Sequence, residues 1–208
     1  MSLTQPLDPS KQVLLQHLLA AHVMHHDEAV AMFEKIGATN CRTLEECFRD
    51  INAQLMPGFG LEIATASFGG TRYHAVVNPY ADDVAKASFK EKLSPSQREY
   101  IRNVFETLAQ DEDDNEANDN VGTRMNLLNL RTKLDEKYKL NIEETEYCLD
   151  RLVAEKWLST DVVEDKENRR KSLKSVYKLG PRSYLELRQL LQDFGVTALP
   201  QYIYHRSS

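Results

Sequence analysis

Asn141 to Leu179, NIEETEYCLDRLVAEKWLSTDVVEDKENRRKSLKSVYKL, is the stretch on which the fold turns. Ile142, Leu149, Leu152, Val153 and Trp157 recur at helical spacing, with charged side chains on the opposite side. Asn141 suits an N-cap, and Glu143 and Glu144 fall in the first turn, where the helix dipole favours negative charge. The period then changes. Trp157–Val163 and Ser175–Leu179 are short, β-branched and roughly alternating, which predicts two strands. Between them, Glu164 to Lys174 forms a polar, basic tip. A helix running into a hairpin with a long charged tip is the centre of a winged helix, the helix being the potential reader and the tip the wing. Gly180-Pro181 stops the second strand and opens a further helix, expected over 182–194.

The same order stands upstream. Residues 1–8 read as a loose leader. Val13, Leu14, Leu15, Leu18 and Leu19 make a strongly apolar helix from Pro9 to about Ala21, and His22–His26 breaks its pattern. A second helix runs from Asp27 to a C-terminal Gly37. Thr43-x-x-Glu46 is a capping box for a third, expected to stop at Pro57-Gly58. Leu61–Phe68, a Gly69-Gly70 turn and Arg72–Val77 predict a hairpin. A connecting helix is expected over 81–93, and Ser94-Pro95 caps a long helix. The acidic run 111–120 reads as a disordered loop, and Met125 to Leu134 gives one more helix. The expected architecture is therefore mainly α with small β-hairpins. It comprises tandem winged-helix domains over 9–80 and 94–195, followed by a tail over 196–208.

With 41% hydrophobic and 28% charged residues, the 208-residue chain has an ordinary globular composition. No apolar run approaches the roughly 18 residues needed to span a membrane. Three cysteines, none in a CxxC pair, fit a reducing compartment, and the odd count argues against a disulfide framework. The net charge of −6 is matched by the six carboxylates of the acidic run, so the remainder is near neutral (−6 plus 6 gives 0).

No catalytic constellation is legible. His17, His22, His25 and His26 cluster in sequence, but no cysteine or carboxylate pair is spaced to complete a zinc site. Cys41 and Cys47 lack a partner histidine, and core packing is the reading for Cys47. The reader helices test the nucleic-acid hypothesis. The second carries Glu143, Glu144, Glu146, Asp150 and Glu155 against Arg151 and Lys156; the first carries Glu45, Glu46 and Asp50 against Arg49. Phosphates would repel both, so protein–protein binding is the better use of these domains. The alternative is a DNA-binding module acting through the wing, where Lys166, Arg169, Arg170, Lys171 and Lys174 could touch a DNA backbone without reading bases. Partner binding is placed on Leu14, Leu15, Leu18 and Leu19 of the first helix, with Leu15 and Leu19 expected to face outward.

Several stretches resemble the non-SMC element 1 family, the RING-bearing subunit of the SMC five/six chromosome-maintenance complex. They are Lys11–Leu19 with its histidine-rich turn, Thr43–Leu55 before the Leu61–Val77 hairpin, Glu144–Leu149 with Glu155-Lys156-Trp157-Leu158, and Tyr177–Arg182. The resemblance implies tandem winged helices that pair with a MAGE-type subunit (non-SMC element 3) and a kleisin (non-SMC element 4). It also implies a nuclear location and a role in DNA repair and recombination. Family members continue into a zinc-binding RING-like domain serving E3 ubiquitin ligation. This chain is expected to stop short of that domain, so no metal ligand is carried over, and zinc is expected only in the missing RING.

Overall fold

The computed structural model describes residues 7–37, 40–79, 93–113, 122–164 and 173–206. It divides into two units, Met1–Asp82 with Pro200–Ser208, and Asp83–Leu199.

In the first unit Asp8 caps helix α1 (Pro9–Ala21), its carboxylate accepting the Ser10 N–H at 2.8 Å. Strand β1 (Met24–His25) follows, then α2 (His26–Ile36) and α3 (Leu44–Phe59). Gly37 closes α2 in the left-handed conformation. Thr43 caps α3, its hydroxyl accepting the Glu46 N–H at 3.1 Å. The hairpin β2 (Glu62–Phe68) and β3 (Thr71–Val77) completes the order helix–strand–helix–helix–strand–strand expected of a winged helix. Leu14, Leu18, Phe48, Ile51 and Ile63 pack together as its core.

Two expectations are corrected here. The His22–His26 break contains a strand, because Met24 and His25 pair with His74 and Tyr73 of β3; two residues are too few to show alternation. Helix α3 also passes through Pro57 to Phe59. A proline in the last turn removes only one backbone hydrogen bond, and Gly60 supplies the stop.

The second unit contains α4 (Pro95–Asp113), α5 (Arg124–Asn129), α6 (Ile142–Ala154), the hairpin β4 (Leu158–Glu164) and β5 (Leu173–Leu179), α7 (Pro181–Glu186) and α8 (Arg188–Asp193). Asn141 and Glu144 form a reciprocal capping box at the start of α6. Trp157, Tyr100, Phe105, Leu127, Leu149, Leu152 and Leu158 are among the largest fully buried side chains.

Helix α4 continues to Asp113, into the run expected as a loop, and 114–121 lie outside the described residues. The helix expected over 125–134 is α5 followed by a 3-10 turn, Leu130–Lys133. The helix expected over 182–194 is broken at Leu187, whose φ of −113° leaves the helical region. The connecting helix expected over 81–93 lies outside the described residues except for Leu93.

Two glycines hold the second unit's hairpin close. A Cβ on Gly122 would lie 2.3 Å from the Tyr177 carbonyl oxygen, and one on Gly180 would lie 2.4 Å from that of Lys156. Gly122 stands where the chain touches β5: Tyr177 N–H donates to its carbonyl at 2.6 Å, beside the single bridge Thr123–Val176.

The tail reading is corrected too. Tyr202–Tyr204 is strand β6 and pairs antiparallel with β2 of the first unit, Tyr204 opposite Ala64 and Tyr202 opposite Ala66. The sheet order is β1-β3-β2-β6. Nothing local marks QYIYHR as part of this sheet, in which Thr65 meets His205 across 140 residues of chain.

Candidate functional site

The outward face of α6 is built by its periodicity. Thr145, Cys148, Leu149 and Leu152 are buried, which turns Ile142, Glu143, Tyr147 and Asp150 outward. Ile142 and Tyr147 are 51% and 58% exposed, a large apolar area for a solvent-facing helix. Arg124 of α5 lies against this face and is committed there. It donates to Asp150 at 2.9 Å and to the Tyr177 hydroxyl at 2.8 Å, with Glu146 at 3.4 Å. These bonds, Asp150 first, hold its pKa above the ordinary guanidinium value. The face is acidic and apolar, which suits a protein partner and opposes phosphate.

Behind it, Arg182 locks the helix to the hairpin. Its guanidinium stacks 4.0 Å over the Trp157 ring, donates to Glu186 at 2.8 Å and reaches the Glu155 carboxylate at 3.6 Å. Burial opposes the charge on Glu155, but hydrogen bonds from Arg151 and Trp157 outweigh it and hold the carboxyl below its ordinary pKa.

In the first unit the structure separates the leucines proposed to meet a partner. Leu14 and Leu18 are 1% and 0% exposed and belong to the core, so neither can form a partner surface. Leu15 is half-buried against that core, whereas Leu19 is 49% exposed. Lys11 ties α1 to the reader helix α3 through Asp50 at 2.6 Å. That hydrogen bond raises the lysine pKa and lowers the aspartate's.

Of the wing residues, Lys166, Arg169, Arg170 and Lys171 lie outside the described residues, and Lys174 stands on β5 in register with Val163.

Of the histidines grouped by sequence, His26 joins a hydrogen-bond network that the fold assembles. His26 Nδ1 lies 2.9 Å from His74 Nε2, and His74 Nδ1 lies 2.8 Å from Thr65 Oγ1. Thr65 Oγ1 in turn meets His205 Nε2 at 2.7 Å. Burial first, then the neighbouring His26, pushes His74 down to about 3, and burial also lowers His205. Sequence reading passed over His74 and His205. The one available signal was a histidine at an inward position of β3, where alternation calls for an apolar residue. Among the described residues no group of three or more His, Cys, Asp or Glu side chains is placed to hold a metal ion. Burial pushes the thiols of Cys47 and Cys148 up to about 12 and about 11, which leaves them protonated.

The sequence profile of the family described as Nse1 non-SMC component of SMC5-6 complex matches residues 11–187. Comparison with curated protein sequences finds no match. A solved structure described as an Nse1-Nse3-Nse4 complex contains a similar chain. The likeness has a TM-score of 0.67 at 24% identity and covers 91% of this chain and 78% of that one. At that identity it speaks to the fold.

Proposed function

The chain belongs to the Nse1 family of non-SMC components of the SMC5-6 complex, and from that premise we propose that it works as an assembly subunit, pairing with a MAGE-type subunit and a kleisin. The observation that carries this reading is the acidic reader helix with Ile142 and Tyr147 exposed on it, a face made for protein rather than for DNA. The similar chain in the Nse1-Nse3-Nse4 complex supports the choice of partners. A nuclear role in DNA repair and recombination follows from the family's place in chromosome maintenance. Zinc and ubiquitin ligation we assign to the RING-like domain that the resemblance implies, not to the residues of these two units.

Leu19 on α1 is the second contact we assign, with Leu15 one turn away and partly committed to the core. The test is co-purification with the MAGE-type subunit. Leu19→Asp should weaken capture at least tenfold while circular dichroism stays unchanged, because an exposed substitution alters stability by only about 0.5 kcal/mol. Tyr147→Asp provides the matching arm on α6. Wild-type capture by both folded variants would place the interface elsewhere.

A further inference from the structure

We propose that Tyr202–Arg206 is a proton-sensitive strap, docked on the first unit by a one-way hydrogen-bond chain that runs from Arg72 through His26, His74 and Thr65 to His205. The direction follows from the donors. The Arg72 guanidinium can only donate, and its Nη2 lies 3.0 Å from His26 Nε2. His26 Nε2 must therefore accept, which places the neutral ring's proton on Nδ1, facing His74 Nε2 at 2.9 Å. His74 then accepts on Nε2 and carries its own proton on Nδ1, which it donates to Thr65 Oγ1 at 2.8 Å. The Thr65 hydroxyl is left to donate to His205 Nε2 at 2.7 Å. One fixed cation on β3 thus sets the tautomer of three rings, and the last of them belongs to the strap.

Every link requires a neutral imidazole. A proton added to His74 Nε2 would face the N–H of His26, and His26 cannot reverse because Arg72 occupies its other nitrogen. The groups facing the chain are His25 from β1, His26 from α2, Arg72 from β3, Glu45 and Arg49 from α3, and Glu62 from β2. Phe48 closes the apolar side, its ring 5.0 Å from His74 and 5.2 Å from His205. The strap has two further ties. Asn52 Nδ2 donates to the His205 carbonyl at 3.1 Å, and Arg206 makes a two-point pair with the fully buried Glu62 carboxylate at 2.7 and 2.9 Å. Docking therefore closes the β2 edge and satisfies buried polar groups that release would strand.

The sign of the pH effect is fixed by this burial. A histidine whose pKa is lower docked than free stabilises the docked form above the ordinary value of about 6.5, and that contribution fades as pH falls below it. Moving from pH 7.5 to 6.0 should favour release by about fourfold for each ring set free.

The whole chain, kept above its pI of 5.6, is the sample. Nitrogen-15 spectra of the imidazoles at pH 7.5 should show His26, His74 and His205 all protonated on Nδ1; a proton on Nε2 of His74 would overturn the chain. Amide exchange of residues 203–205, corrected for intrinsic rate, should accelerate at least fourfold at pH 6.0 while α3 holds its protection. Equal loss in α3 would mean global unfolding and would refute a strap. Arg72→Met, on β3 and separated from β6 by β2, should let His74 populate the other tautomer and speed strap exchange at pH 7.5. Thr65→Val should do so directly. Wild-type strap exchange in both variants would sink the proposal.

Discussion

The two units share one element order and solve its weakest point differently. In the first, β1 is a paired strand at the sheet edge, and the opposite edge is covered by β6 from the end of the chain. In the second, the place of β1 is reduced to the Thr123–Val176 bridge, and the sheet has two strands. The first unit buries polar side chains and satisfies three of them, Asn52, Glu62 and Thr65, with partners from the chain's far end. The second relies on contact distance: glycines where the backbone crosses, and an arginine laid over the one tryptophan. A two-stranded hairpin is marginal alone, so the second unit depends on close packing, whereas the first can spread its stability over a sheet.

That contrast predicts where each unit breaks. The largest effect should come from Gly180→Ala or Gly122→Ala, since a methyl group cannot occupy a position under 2.5 Å from a carbonyl oxygen. We expect about 3 kcal/mol or more of destabilisation, confined to the second unit. Trp157 is the chain's single tryptophan and is buried there, so its fluorescence in urea reads that unit alone. A loss shared by the first unit would show that the two fold as one.

Next, Arg206→Ala should leave the Glu62 carboxylate buried without its cation. The arginine is half-exposed, so we expect about 1–2 kcal/mol rather than the full cost of a broken buried pair. The loss should appear as faster exchange of the β6 amides with the Trp157 midpoint unmoved.

Smaller still, Asp50→Asn should cost less than about 1 kcal/mol, because the pair with Lys11 is partly solvent-screened. The lowered aspartate pKa places its contribution above the ordinary carboxylate value of about 3.9, and it should be lost as pH falls below that value. A pH titration of first-unit stability, compared between wild type and variant, would show the two curves converging in acid. Charge reversal of Arg169, Arg170 and Lys171 should leave both midpoints unchanged. Weaker, less salt-dependent DNA binding by the assembled complex would give the wing a backbone contact; unaltered binding would remove it.

Local signals carried much of the fold. Thr43 and Asn141 are caps in the structure because a cap is a contact over two or three residues, and Gly37 closes a helix for the same reason. The acidity of the reader helices was equally legible, since composition needs no partner. Elements too short to have a period were not. Met24–His25 and Tyr202–Tyr204 are strands only because β3 and β2 present an edge to them.

The apolar α1 shows the boundary between the two kinds of information. Sequence established that it is a helix with more leucine than one stripe needs; packing decided that Leu14 and Leu18 go inward and Leu19 outward. The histidines divide in the same way. Their number and His26's place beside a helix start are written in the chain, but the hydrogen-bond partners of His74 come from α2 and β2. By itself the sequence determined helices, caps, turns and the charge of each face, because these depend on neighbours within a turn or two. Only the tertiary structure decided the strap, the histidine chain and the Gly122 and Gly180 crossings. Those contacts join residues far apart in the chain and have no energy until the rest of the fold holds both sides in place.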